Sequence, residues 1–387
     1  MKKTNASASA SSMILGVAFV WFTTHFGGGF ASGAQIYSYY VRYGIYCLFT
    51  PALAMLYNGI FFAYGLRFAR KHEVYDYRSY NNAFYGRFAP VFSNLFEILY
   101  ICVMCVAPAV AFATGGATLS ALTGLPYLLC TLIIGIFIFV VAIFGTDLVR
   151  RVASVLSICI IAGLLIVYIP NIIHGWSTIS ATAQEMTQNP QPLGKALYAA
   201  FLYGTFQLAN IAVFVQHAKS FQKPKDAVKS MGIGFLINAL LMIMVCLGLM
   251  TICMRPEMAD TSVPTLLMVQ NGVGKGFMTP LISVLIILGA VSTAVNMVAA
   301  MVKRVSDGID KYKKTSVSVS GKEHTRKKIT TKEVIIALVC CLADFGIAQF
   351  GLLTLIQKAY SFLAYLAIPV ILIPYVVHMV VTRFDTK

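Results

Sequence analysis

The segment with the most chemistry per residue is Thr23-Thr24-His25-Phe26-Gly27-Gly28-Gly29-Phe30-Ala31-Ser32-Gly33, which sets hydroxyls, an imidazole and a glycine run in the middle of an apolar stretch. Each of the successive glycines Gly27, Gly28 and Gly29 weakens a helix by ~1 kcal/mol relative to alanine. A break at this point frees backbone N–H groups at the start of the outer half, which suit a carboxylate or another anion. It also frees carbonyls at the end of the inner half, which suit a cation. Helix packing is the competing use, because Gly29 and Gly33 stand four apart as in a Gly-x-x-x-Gly contact face. A contact face of that kind does not call for three glycines in a row.

A second segment has the same character. Tyr203-Gly204-Thr205-Phe206-Gln207-Leu208-Ala209-Asn210 brings glycine, two amides and hydroxyls into another apolar run, either as a second interrupted helix or as polar residues bonding between helices. Three titratable groups, His25, Glu97 and Asp344, fall ~13 to 18 Å from the inner ends of their spans at the helical rise. Ionisable groups at such depth face a cavity or a partner. Glu97 and Asp344 are candidates for carrying a proton, with His25 as a relay. The alternative for each acid is a structural group that bonds to a neighbouring helix.

The elements that must hold these residues follow from composition. Hydrophobic residues make up 58% of the chain, charged residues 11%, and the mean hydropathy is +0.78, far from a soluble globular balance. A helix that spans hydrocarbon needs roughly 20 apolar residues, since lipid satisfies no backbone polar group. Such stretches occur near 13–40, 44–66, 88–113, 125–145, 149–172, 194–216, 229–253, 277–302, 333–350 and 359–381. The expected architecture is therefore an all-α integral membrane protein of about ten transmembrane helices. Residues 1–12 form a tail, 13–172 a first set of five helices, 173–192 an outer loop, and 193–387 a second set that includes a basic loop at 303–332. An odd set of five makes the second set enter from the opposite face, giving a 5+5 inverted repeat with its first and sixth helices broken.

Of the 30 Lys and Arg residues, 25 fall in the segments that an inside N-terminus places on the cytoplasmic side. That asymmetry accounts for the formal charge of +16 without any nucleic-acid partner. It predicts a multi-pass protein of the cytoplasmic membrane with both termini inside. The nine cysteines lie in or beside apolar stretches and show neither paired spacing nor a Cys/His cluster, so they read as small hydrophobes. No His-Glu-x-x-His, paired-Asp or Gly-x-Ser-x-Gly pattern is present, so no enzyme is expected.

With Gly27 to Gly33, Tyr203 to Gln207, the small-residue stretch Ala113 to Pro126 and the span count in view, the sequence resembles the amino acid, polyamine and organocation (APC) transporter superfamily, which has the LeuT-type fold. Within it the chain is most similar to the YkvI-like bacterial membrane proteins. That group follows its Gly-Phe-Ala-Ser-Gly with Gln-Glu and carries an Asn late in the sixth span, whereas Ala34-Gln35 and Gln207 stand here. The resemblance implies a sodium site built from the carbonyls of Thr23 and Phe26 and the hydroxyls of Ser292 and Thr293. Both hydroxyls can instead bond one turn back in their own helix. Some proton-coupled relatives place a lysine in the fifth span; here none lies beyond its inner end, which leans toward sodium.

The expected function is ion-coupled secondary transport of a small nitrogen-containing solute, an amino acid or related zwitterion. Proton-coupled transport of an amine and a non-transporting sensor or scaffold are the alternatives. The solute-binding set is Thr24, His25, Gly27, Gly28, Gly29, Phe30, Tyr203, Gly204, Thr205, Phe206 and Gln207. No cofactor other than a sodium ion is expected. The segment Thr261 to Gly274 folds either as a short lid helix over the outer vestibule or as a plain connection.

Overall fold

The computed structural model describes residues 2–144, 146–314 and 330–385. Lys322, Arg326, Lys327 and Lys328 of the basic loop lie outside the described residues, as do the side chains of Lys311, Lys313 and Lys314. No strand occurs among the described residues.

The first half of the chain runs through α1 (Lys2–His25), α2 (Gly28–Ala31), α3 (Ala34–Tyr39), α4 (Thr50–Lys71), α5 (Tyr77–Tyr85), α6 (Ala89–Thr123), α7 (Tyr127–Phe144) and α8 (Thr146–His174). After α9 (Trp176–Gln188) come α10 (Leu193–Gln207), α11 (Ile211–Phe214), α12 (Lys225–Met250), α13 (Pro264–Gln270) and α14 (Lys275–Lys314). The chain closes with α15 (Thr331–Ala348), α16 (Leu352–Thr354), α17 (Tyr360–Ala367) and α18 (Ile373–Val381), the last three joined by π turns into one bent run.

Seven helical runs are long and apolar enough to cross a membrane, and the bent pair α8–α9 brings the number to eight among the described residues. The other two expected crossings exist as helices but fall short for chemical reasons. The apolar part of α1, Ser11–His25, stops at the glycine run, and α15 holds Lys332, Glu333 and Asp344 within its 18 residues. Leu128, Ile136, Leu240, Val339 and Val380 are each more than half exposed, on four different helices. A soluble monomer does not carry that much outward-facing apolar surface, and lipid accounts for it. The chain is a multi-pass membrane protein.

Several local expectations change. The supposed tail is helical from Lys2, continuous with α1. The loop expected over 173–192 is largely α9, which meets α8 at 75°. No Gly or Pro interrupts 176–188, and Ile179, Thr182 and Met186 form a buried stripe at helical spacing. The second span begins later than expected, at Thr50, because 41–48 form a tight 3-10 run kinked at Gly44, whose φ is +76°. A capping box of Thr330 and Glu333 starts α15: Glu333 N–H donates to the Thr330 hydroxyl and Thr330 N–H donates to the Glu333 carboxylate.

The interruption expected around Gly204 is milder and one turn later. The α-helix α10 continues through Gly204 to Gln207 and then tightens into a 3-10 turn at Leu208–Asn210. In tightening, Leu208 N–H turns to the Thr205 carbonyl, and the Gly204 carbonyl accepts instead from Asn58 Nδ2 on α4 at 2.6 Å. Gly204 is needed for close approach rather than for a break, since a Cβ there would lie 2.5 Å from Cδ1 of Tyr57.

The long helices pack as α6 along α14 and α4 along α12, with α1 against α12. Side chains gather the basic ends onto one face. Arg70 Nε donates to the Phe221 carbonyl at 2.7 Å, Lys71 pairs with Asp385 at 3.0 Å, and Arg304 pairs with Glu97. Gly204→Val should lower stability by about 1–3 kcal/mol through its clash with Tyr57. Gly194→Ala in the same helix meets open space and should be neutral or slightly stabilising. Thermal unfolding of the two purified variants measures the contrast; equal loss in both would remove the close-approach explanation.

Candidate functional site

The break in the first span lies where the glycines require it. Phe26 N–H makes the last helical bond, to Phe22 at 2.8 Å, and Gly27 N–H turns back to the His25 carbonyl at 3.0 Å. Gly27 is extended, with φ −87° and ψ 179°, and α2 starts when Phe30 and Ala31 donate to its carbonyl. Among the described residues no backbone N–H is directed at the carbonyls of Thr23, Thr24 and Phe26, and the N–H groups of Gly28 and Gly29 have no backbone acceptor. Donors and acceptors are thus freed on opposite sides of one point. With only four residues, α2 supplies N–H groups but little macrodipole.

A second kink closes the side away from the basic face. Gly33 adopts φ +79°, a left-handed conformation suited to glycine, and a Cβ there would lie 2.7 Å from Oγ1 of Thr265. Thr265 sits on α13, in the segment read as either a short lid helix or a plain connection, and its N–H donates to the Ser32 carbonyl at 2.9 Å. The Thr265 hydroxyl also bonds to the Tyr168 hydroxyl at 2.7 Å. On that side the break is therefore closed by hydrogen bonds linking the end of α2, α13 and α8.

His25 anchors the inner half. Its Nδ1 lies 2.7 Å from Asn238 Oδ1 on α12, and its Nε2 lies 2.6 Å from the Tyr203 hydroxyl on α10. Asn238 Nδ2 donates to the Gly234 carbonyl, which turns its Oδ1 toward His25. The network thus assigns the imidazole proton to Nδ1, with Nε2 accepting from Tyr203. Both nitrogens are engaged, so His25 reaches the site as an apolar ring edge while fixing the end of α1. Tyr203 is fully buried against His25, Tyr39, Tyr40 and Phe206.

A cavity of 80 Å³ extends from the break toward the basic face. Of the expected residues, Thr24, His25, Gly27, Gly28, Gly29, Phe206, Gln207 and Thr293 line it. Gln35, Asn210 and Tyr360 line it too and were not expected. The walls on the basic side come from Val103 and Ala107 of α6 and Met297 of α14. Phe206 stacks on Tyr360 at 4.5 Å, and Asn210 donates to Gln207 Oε1 at 2.5 Å. Gln35 became a lining residue only because the Gly33 kink turns α3 back toward the break, bringing its amide to 2.8 Å from where a Gly29 Cβ would sit. The glycines serve packing as well, for a Cβ on Gly28 would lie 2.9 Å from Cβ of Ala290.

Other expected residues lie outside the cavity or have their side chains engaged elsewhere. Phe30 is buried between Phe26 and His25. The Thr205 hydroxyl bonds back to Phe201 at 2.7 Å. Thr23 and Thr24 both donate to the Val20 carbonyl, at 3.1 and 2.8 Å. Thr293 Oγ1 donates to the Gly289 carbonyl at 3.0 Å yet stands 3.7 Å from where a Gly27 Cβ would be, so its lone pairs adjoin the break. Ser292, beside it in α14, is not a lining residue. Glu97 forms an ion pair with Arg304 and accepts from the Tyr77 hydroxyl at 3.0 Å, with the Arg304 guanidinium over the Tyr77 ring. Asp344 is buried in α15, apart from the cavity. Among the described residues no group of three or more His, Cys, Asp or Glu side chains is arranged to hold a metal ion.

No family model matches the sequence, and no curated protein matches it. Among solved structures the chain is similar to a mutant of the Eremococcus coleocola manganese transporter, at 17% identity and a TM-score of 0.50, covering 94% of this chain and 79% of that one. It is also similar to the inward-facing conformation of Mhp1, a LeuT-fold transporter, at 14% identity and a TM-score of 0.52, covering 96% and 77%. These likenesses establish the LeuT-type fold.

Replacing His25 by Phe keeps a ring beside Phe30 but strands Asn238 Oδ1 in a buried site and leaves the Tyr203 hydroxyl only its longer bond to Gln35 Oε1, at 3.4 Å. The variant should lose about 1–3 kcal/mol of stability. Denaturation in detergent measures this, and an unchanged midpoint would show that the imidazole does not clamp the three helices.

Proposed function

We propose that the protein is an alternating-access secondary transporter of the cytoplasmic membrane, with both termini inside, that carries a small amino acid or related zwitterion together with sodium. The observation that carries this reading is the break at Phe26–Gly27. It exposes unpaired donors and acceptors to a cavity leading toward the basic face, while Ser32 and Thr265 close the opposite side. A break of this kind answers a solute that carries both charges: N–H groups of Gly28 and Gly29 for a carboxylate, amide oxygens of Gln35 and Gln207 for an ammonium group. The small cavity, against roughly 300–1,000 Å³ for drug-sized ligands, favours the smaller members of the class.

Sodium would bind at the carbonyls of Thr23 and Phe26 with the Thr293 hydroxyl, a hard oxygen set, and Ser292 would join if α14 turned slightly. The manganese of one structural neighbour suits hard oxygen sites, commonly with carboxylates. The lining described here offers carbonyls, hydroxyls and amides but neither Asp nor Glu, so an organic cargo fits better. On the same reading residues 13–172 and 193–387 are the two repeats, and membership of the APC superfamily, near the YkvI-like group, rests on the sequence motifs. Proton coupling is the second reading, favoured by the buried carboxyl of Asp344.

The test is uptake of radiolabelled glycine, alanine and serine into liposomes containing the purified protein. An inward sodium gradient should drive accumulation, and combined Ser292→Ala and Thr293→Ala should weaken sodium activation by about tenfold or more. Uptake driven by a pH gradient without sodium would replace sodium by the proton. If no solute of a broad amino-acid and amine panel moves or stabilises the protein, a sensor or scaffold replaces the transporter.

A further inference from the structure

At the basic end of the bundle a cavity of 510 Å³ lies between α18 and the turn that joins α5 to α6. Its shape begins with a proline. Pro374 has no N–H to give the Val370 carbonyl one turn back, and the Tyr85 hydroxyl donates there instead at 2.8 Å, pinning the end of α5 to the last span. Between the pinned elements, Phe88 and Phe92 form one wall and Val377 and Val381 the other. The polar group of the floor is already engaged: His378 stacks on Phe84 at 4.3 Å and its Nδ1 meets the Tyr64 hydroxyl at 2.5 Å. What remains for an occupant is apolar wall.

The position and one charge say what that occupant is. Phe88, Val377 and Val381 are all more than half exposed, on helices whose outer faces meet lipid, so the cavity is continuous with the hydrocarbon. Arg87 is the only Lys, Arg, Asp or Glu in the lining, and it precedes the apolar run of α6, at the level where a span meets the headgroups. Its guanidinium lies over the Phe88 ring at 4.8 Å, and among the described residues no carboxylate pairs with it. An unpaired guanidinium beside an apolar groove at the interface matches a phosphate with an acyl chain attached. We propose that this groove is a binding site for an anionic glycerophospholipid, with an acyl chain between α18 and the start of α6 and the phosphate on Arg87. No acidic side chain in the lining would receive the ammonium of a zwitterionic headgroup, which sets the preference for an anionic one.

The test uses the full chain in detergent, with phosphatidylglycerol or phosphatidylcholine of identical acyl chains added, and counts retained lipids by native mass spectrometry. Wild type should retain phosphatidylglycerol preferentially. Arg87→Gln should bind it about fivefold more weakly, the worth of one basic residue at an anionic surface, while Arg87→Lys keeps most of the preference. Val377→Trp, which fills the groove, should reduce retention of both lipids. Equal retention of the two lipids by wild type, or an undiminished preference in Arg87→Gln, would overturn the site.

Discussion

Everything at the centre of this protein follows from one interruption of the backbone hydrogen-bond ladder at Gly27. Inside a bilayer no water is at hand to satisfy the freed groups, so other helices must enclose them or an aqueous cavity must reach them. Both occur. His25, the last residue of α1, is bonded to α10 and α12, and α2 is pressed so closely against α14 that Gly28 has no room for a side chain. The cavity then meets the freed carbonyls from the basic side only, because the opposite side is closed by α13.

The sixth and tenth of the expected spans solve the same problem more gently. In α10 a change from α to 3-10 geometry releases one carbonyl, that of Gly204, and a single amide, Asn58, takes it. In α18 a proline releases the Val370 carbonyl and a single hydroxyl, Tyr85, takes it. Each lesion has one designated partner. At Gly27 several groups are left over, and this surplus is what the proposed site rests on.

The distinction was only partly legible in the sequence. Apolar length and the distribution of basic residues are properties of the chain itself, and the ten helical stretches follow from them. The break at Gly27 was legible because a helix-packing face needs one small residue per turn and does not call for three consecutive glycines, even though Gly28 and Gly29 also turn out to be closely packed. A lone glycine such as Gly204 carries no such mark: whether it breaks a helix or admits a tyrosine depends on Tyr57, nearly 150 residues away in the chain. Glu97 looked like an isolated acid at membrane depth for the same reason, since Arg304 stands on another helix. Gln35 was overlooked because its approach to the break depends on the left-handed turn at Gly33. Periodicity reports which face a residue takes along an unbroken helix, and these residues all lie beyond a bend or across an interface.

The central claim, that the break is a solute site exposed to one face at a time, is tested most directly by thiol accessibility at Thr24. With the nine native cysteines replaced, Thr24→Cys in membrane vesicles of known orientation is treated with a membrane-impermeant maleimide. The account predicts labelling from the face that carries the basic segments, and protection when a transported amino acid is added with sodium. Equal labelling from both faces, or labelling that no amino acid or amine alters, would contradict it.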